Sequence, residues 1–206
     1  MLEIKEDCYK GTRILFGNEK QDLLNECRNL LKLNDFVEIQ IPIIQYQEIF
    51  TNKVGEENNN MMFFFTDRGN RDVCLAPEYT AVIQRLSKTV FKQKKDVKLF
   101  YVAECFRGEK PQAGRYRQFT QLGVEIINPS QHYTMFDIAV ELCLIINNKL
   151  KYKTNLEVKR GLDYYKDGEG FEITSEQLGS SKQVCGGGEY DGGVGFAIGV
   201  DRLLSI

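Results

Sequence analysis

Apolar residues recur at helical spacing in EKQDLLNECRNLLKL (19–33), where Leu23, Leu24, Cys27, Leu30, Leu31 and Leu33 mark the face of an amphipathic helix. FVEIQIPII (36–44) changes to a partly alternating, β-former-rich pattern and predicts a strand. Pro42 places that strand at a sheet edge, because proline has no N–H to give to a ladder. The polar run 51–60 reads as a loop. Met61–Thr66 and Val73–Leu75 read as two short strands about the turn DRGNR (67–71). Pro77 opens a helix over 78–91, with Ala81, Val82, Leu86 and Val90 on one side. After the lysine-rich connection KQKKD (92–96), KLFYVAECF (98–106) and FTQLGVEII (119–127) form a hairpin around the polar, basic loop RGEKPQAGRYRQ (107–118). A helix over 131–150 buries Met135, Ile138, Ala139, Leu142, Ile145, Ile146 and Leu150. Short β-like pieces follow at 156–165, 170–174 and 184–187. GFAIG (195–199) is a strand, and VDRLLSI (200–206) begins a helix.

Strands outnumber helices and are joined mostly by hairpins, which predicts an α+β fold: an antiparallel β-sheet flanked by helices. No repeat or linker divides the chain, so residues 1–206 are expected to form a single domain. A chain of 206 residues buries roughly 70% of its unfolded surface and needs no metal or disulfide to fold. With 42% hydrophobic and 27% charged residues the composition is that of a globular protein. The net charge of −2 argues against an unspecific nucleic-acid coat but permits a local basic groove. The apolar runs are too short for a membrane span, and MLEIKEDCYK lacks a signal-peptide core, so a cytoplasmic location with no membrane contact is expected. The six cysteines (8, 27, 74, 105, 143 and 185) show no zinc spacing and read as reduced thiols. His132 is the only histidine and, between Gln131 and Tyr133, reads as a surface residue. Chemistry must therefore rest on carboxylates, arginines and tyrosines.

The hairpin 98–127 carries most of the candidates. Its loop holds Arg107, Lys110, Arg115 and Arg117 against Glu109, which suits either a solvated hairpin tip or a phosphate clamp. Arg107 follows the apolar strand directly, so its stem is expected on the sheet face. Counting by two places Phe119, Gln121, Gly123 and Glu125 on one face, and Thr120, Leu122, Val124 and Ile126 on the other. A carboxylate there needs a cation or hydrogen-bond donors, so Glu125 marks either a salt bridge or a ligand site. The stretch GGGEYDGGVG (186–195) holds six glycines in ten residues, which permit positive φ and close backbone approach; it reads as a flexible loop, and only weakly as a nucleotide site, since no GxGxxG or Walker pattern is present. The phenols of DYY (163–165) read more readily as core or rim residues than as ligands.

The motifs together resemble class II aminoacyl-tRNA synthetases and, within them, the histidyl-tRNA synthetase family. KGTR (10–13) is similar to that family's N-terminal signature. FVEIQIPIIQYQEIF (36–50) resembles motif 1, with Pro42 as its proline. LAPEYT (75–80) is similar to LRPEGT, and motif 2 corresponds to about 98–127 through FRGEKPQAGRYRQFTQLGVEII. RGLDYY (160–165) resembles the histidine signature, CGGGEYDG (185–192) resembles AGGRYDG, and GFAIGVDRLL (195–204) resembles motif 3, taken as about 195–206. Ala76, Tyr79 and Glu189 depart from the pattern, and no role is assigned to Glu189. The family's helical insertion between motif 2 and RGLDYY and its C-terminal anticodon-binding domain find no counterpart. That leaves a minimal catalytic domain, either a naturally short chain or a piece of a longer one.

The resemblance implies the class II catalytic fold and a homodimer formed through motif 1. It implies ATP-dependent activation of histidine to histidyl-adenylate, with transfer to the acceptor end of tRNA. Arg107 and Arg160 would be catalytic, clamping the α-phosphate from two sides. Glu109, Arg115, Phe119 and Arg202 would complete the ATP site, with Phe119 on adenine and Arg115 at the terminal phosphates. Glu78 would bind the α-ammonium group. Glu125 and Tyr165 would read the imidazole, with Gln121 and Tyr190 completing the pocket. Tyr164 is a weaker candidate. Mg²⁺ would be carried by ATP rather than by side chains. The alternatives are a histidine-activating enzyme with a non-tRNA acceptor, and a non-ligating histidine-binding paralogue such as an ATP phosphoribosyltransferase regulatory subunit. A separate partner chain is a further expectation.

Overall fold

The computed structural model describes residues 2–51, 60–112, 114–158, 165–179 and 182–206. The strands are β1 (Leu2–Ile4), β2 (Ile14–Phe16), β3 (Val37–Glu38), β4 (Ile44–Tyr46), β5 (Phe64–Thr66), β6 (Asp72–Leu75), β7 (Val97–Phe106), β8 (Gln118–Ile127), β9 (Lys153–Val158), β10 (Tyr165–Thr174), β11 (Gln183–Tyr190) and β12 (Gly193–Gly199). The helices are α1 (Glu19–Leu33), α2 (Glu48–Thr51), α3 (Thr80–Lys88), α4 (Phe136–Ile146) and α5 (Val200–Leu203). Seven strands form the main sheet in the order β3-β7-β8-β12-β11-β10-β9, β4-β6-β5 form a second sheet, and β1-β2 form a ribbon. The fold is α+β, as the strand-rich pattern predicts. The main sheet is mixed rather than wholly antiparallel, because β3 runs parallel to β7 while its other neighbours pair antiparallel.

Helix α1 spans the predicted residues and buries Leu24, Cys27 and Leu31. Together with α4 and α5 it covers the face carrying Phe100, Leu122, Val124 and Ile126. The opposite face carries Leu99, Tyr101, Cys105 and Ile127, packed with α2, α3 and the second sheet. The alternation expected for β8 is therefore present, with one row in each core.

Several expected elements are shorter or divided. The single strand over 36–44 is two strands in two sheets. Ile39 N–H still donates to Phe100 O at 2.9 Å, but Pro42 has no N–H to continue the ladder, and the chain crosses to the second sheet at Ile44. The helix expected over 78–91 is Thr80–Lys88, so Val90 lies beyond its end and is 67% exposed. The helix expected over 131–150 is Phe136–Ile146. Asn147 ends it in an extended conformation, accepting from Lys149 N–H at 3.0 Å and donating to Leu203 O at 2.8 Å. GGGEYDGGVG, read as a loop, is most of β11, a tight turn with Gly192 at φ +90°, and the start of β12. The expected loop 51–60 lies largely outside the described residues. No helix among those described is long and apolar enough to cross a membrane.

One buried carboxylate joins distant parts of this fold. Asp201, 3% exposed, accepts from Thr120 N–H, from Lys20 Nζ at 3.1 Å and from Arg13 Nη2. Arg13 also stacks over the Tyr116 ring, 3.6 Å from its centroid. Residues from the N-terminal segment, α1, β8 and α5 thus meet at a single group. Removing one member of a buried charge network leaves the others desolvated and unpaired, which costs about 3–5 kcal/mol. Asp201→Ala should lower the unfolding free energy in urea by about that amount. A loss below about 1 kcal/mol would show that Arg13 and Lys20 find other partners.

Candidate active site

The face of the sheet opposite α1 and α4 has a floor almost bare of side chains. Cross-strand pairs share a face. Gly195 pairs with Glu125, Ala197 with Gly123 and Gly199 with Gln121. On the next strand Gly186, Gly188 and Tyr190 pair with Ala197, Gly195 and Gly193. These glycines are needed for space. A Cβ at Gly195 would run into the Glu125 carboxylate, one at Gly123 into the Tyr101 ring, and one at Gly193 into the Tyr190 ring. Three large side chains can therefore lie flat across neighbouring strands.

At one end of the floor these side chains gather hydrogen-bond acceptors. Glu125 has no exposed surface and accepts from Tyr190 Oη at 2.8 Å and Thr80 Oγ1 at 3.1 Å. Glu78, also buried, accepts from the backbone N–H groups of Thr80 at 2.7 Å and Ala81 at 3.1 Å, capping the start of α3. Thr80 touches both carboxylates. Tyr165 stands edge-on to Tyr190 with ring centroids 6.2 Å apart. Cys105 Sγ donates to Gln121 Oε1 at 3.1 Å, which turns the Gln121 amide nitrogen away from it. Burial raises the Cys105 thiol far above its ordinary value, and it raises Cys27 to about 12 and Cys74 to about 11, so these thiols are not nucleophiles.

The other end gathers cations. Arg107 Nε donates to Pro77 O at 2.9 Å, and its guanidinium lies 5.2 Å from the Phe119 ring centroid. Glu109 lies 2.8 Å from Arg115 Nε and 3.9 Å from Arg107. Arg202 runs alongside Gly199; burial, with Arg115 next, lowers its pKa, partly offset by Glu109. Three guanidiniums around one carboxylate form a site of net positive charge. Arg117 is already engaged: its side chain donates to Tyr9 Oη at 2.8 Å and Glu109 O at 3.1 Å, and its backbone N–H donates to Gly11 O at 2.7 Å.

Ten of the predicted site residues thus lie in two groups along this face: Glu78, Gln121, Glu125, Tyr165 and Tyr190, then Arg107, Glu109, Arg115, Phe119 and Arg202. Arg160 and Tyr164 lie outside the described residues. Glu189 faces the other way, with His132 Nδ1 and Lys166 Nζ each at 3.1 Å; His132 is exposed, as expected for a surface residue. Reading the sequence alone misses Thr80, Cys105 and Tyr101. Pairing the two hairpin strands by period two would have placed the last two opposite Phe119 and Gly123.

Burial pushes the Glu125 carboxyl up to about 8, against the pull of the Tyr190 and Thr80 hydroxyls. The folded protein therefore holds this proton more tightly than the unfolded chain, whose carboxyl titrates near 4.5. The resulting stability is complete below about pH 4.5 and is lost as pH rises to about 8. Unfolding free energy should fall across this window by up to about 1.4 kcal/mol per pH unit, and Glu125→Gln should flatten the slope. Equal slopes in the two proteins would place the titrating group elsewhere.

A family model described as histidyl-tRNA synthetase matches residues 18–147, well over half the chain. The histidine–tRNA ligase of Methanococcus vannielii is 28% identical, covering 95% of this chain and 74% of that protein; that of Desulfitobacterium hafniense is 26% identical, covering 95% and 72%. The first alignment runs over 313 positions, more than this chain contains, so the relative carries internal segments without a counterpart here. Among solved structures, apo histidyl-tRNA synthetase from S. aureus superposes with a TM-score of 0.73 at 24% identity, covering 96% of this chain and 69% of that one. An ATP phosphoribosyltransferase regulatory subunit/histidyl-tRNA synthetase from Bacillus halodurans superposes at 0.75 with 15% identity, covering 97% and 82%. These likenesses establish the class II synthetase fold. With the sequence match, they show that the chain belongs to the histidyl-tRNA synthetase family.

Proposed function

We propose that this chain is a minimal catalytic domain that activates histidine with ATP and passes it to the acceptor end of a tRNA. The observation that carries the reading is the polarity of one continuous face. An acceptor-rich, buried cluster stands at one end and a cation cluster at the other, with β8 supplying Phe119, Gln121 and Glu125 along it. From Phe119 to Glu125 the strand rises about 20 Å. An amino acid rich in N–H donors fits the first end, and a nucleoside triphosphate fits the second.

In this reading a histidine carboxylate oxygen attacks the α-phosphorus, the bond to the bridging oxygen breaks, and pyrophosphate leaves with the electron pair. The step needs positioning and charge stabilisation rather than a nucleophilic side chain. Arg107 holds the α-phosphate and the attacking carboxylate together, and Arg160 opposes it. Phe119 and Arg202 hold adenine, Glu109 its amino edge, and Arg115 the terminal phosphates. Glu78 takes the α-ammonium. Glu125 and Tyr165 take the imidazole, and Gln121 and Tyr190 close the pocket. Mg²⁺ arrives on ATP, where it neutralises phosphate oxygens.

A homodimer through motif 1 fits the same reading. Val37, Ile43, Ile44, Tyr46, Phe64 and Phe65 are between 42% and 61% exposed around the 37–46 segment and the second sheet, an apolar surface suited to a second copy.

Histidine-dependent ATP–pyrophosphate exchange tests the reading. Wild-type protein should exchange with histidine and with no other amino acid. Arg107→Ala should reduce the rate by about 10²–10³-fold, the typical loss for one preorganised charge donor. Histidine binding without exchange would instead support the non-ligating, histidine-sensing alternative. Exchange without tRNA charging would point to another acceptor or to a partner chain.

A further inference from the structure

Tyr101 is a fully buried phenol that none of the assigned roles uses. It stands on β7 opposite Gly123 and lies across that glycine, on the face that holds Gln121 and Glu125. Its ring packs against Tyr79 with centroids 5.3 Å apart. Tyr79 uses its hydroxyl structurally, donating to Glu104 O at 2.8 Å. The Tyr101 hydroxyl is different. It has no exposed surface and makes no hydrogen bond among the described residues. Burial, then the carboxylates of Glu125 and Glu78, raise this phenol well above its ordinary value, so it stays protonated. Cys105 and Tyr165 are its next electrostatic neighbours.

An unpaired buried hydroxyl costs about 1–3 kcal/mol. Phenylalanine would fill the same volume without that penalty. Several neighbouring donors serve visible partners: Thr80 and Tyr190 donate to Glu125, Thr80 and Ala81 backbone N–H groups donate to Glu78, and Cys105 donates to Gln121. The hydroxyl lies over Gly123, next to Glu125 on the same face of β8, with Glu125 and Glu78 as its leading charged neighbours and its lone pairs uncommitted, so it complements a donor that arrives from outside the protein.

We propose that the Tyr101 hydroxyl is a specificity-determining contact that accepts a hydrogen bond from an N–H group of the bound amino acid, over Gly123 at the end of the site that holds Glu78 and Glu125. The inference rests on the amino-acid reading of this end of the site and adds a group to it. It means that the pocket selects for side chains able to donate a hydrogen bond, because an apolar ligand leaves the phenol, as well as Glu125, unsatisfied.

Tyr101→Phe removes the oxygen and nothing else. Histidine binding by calorimetry, ATP binding and thermal unfolding are measured on wild type, Tyr101→Phe and, as a structural comparator, Tyr79→Phe. The expected result for Tyr101→Phe is a histidine affinity about tenfold or more weaker, unchanged ATP affinity, and equal or higher thermal stability. Tyr79→Phe should instead lose stability without a change specific to histidine. Unchanged histidine affinity in a stable Tyr101→Phe overturns the inference while leaving the amino-acid reading intact. A parallel loss of stability and of both affinities overturns it too, by making the hydroxyl structural. Failure of wild type to bind any of the twenty amino acids removes the reading of the pocket, and the inference with it.

Discussion

A carboxyl group with no exposed surface can be held in the middle of a sheet face only if it has both space and donors. Gly195 supplies the space for Glu125, because any Cβ there would occupy the position of its carboxylate. Tyr190 and Thr80 supply the donors. The same device repeats at Gly123 under Tyr101 and at Gly193 under Tyr190. A row of glycines on paired strands therefore lets three large polar side chains lie across a sheet face that would otherwise be a packed core. The raised Glu125 proton affinity follows directly: two hydroxyl donors do not compensate the water lost on burial.

The charge balance along this floor gives the site direction. The acceptor cluster contains Glu78 and Glu125, and the guanidiniums of Arg107, Arg115 and Arg202 surround Glu109 at the other end. The cation-rich end is tied to the buried Asp201 network. Asp201 sits one position before Arg202 and binds Thr120, one position after Phe119. Arg13 and Lys20 share the same carboxylate. The N-terminal segment and α1 thus help fix where β8 and α5 place Phe119 and Arg202 at the cation-rich end.

Much of this was legible in the sequence where the signal is local. Helix α1 has the predicted bounds, since its leucine spacing and its burial agree. The β7–β8 hairpin and the face carrying Phe119, Gln121 and Glu125 follow from period two alone. The rest depends on tertiary partners. Whether the β-former run at 36–44 stays in one sheet is decided by where the chain goes after Pro42. The glycines of 186–195 look like a loop until it is known which side chains from β7, β8 and β11 must lie over them. Thr80 gains its role only because Glu78 and Glu125 meet across 45 or more residues of chain at its hydroxyl and N–H.

The site depends on the state of the Glu125 carboxyl, which burial keeps protonated up to about pH 8. The direct measurement is an NMR titration of its ¹³C-labelled side-chain carboxyl, in the free protein and with saturating histidine. The expected result is a midpoint near 8 in the free protein and a clear fall when histidine binds, because an N–H donor stabilises the ionised form. A midpoint in the ordinary carboxylate range, unchanged by histidine, would contradict it.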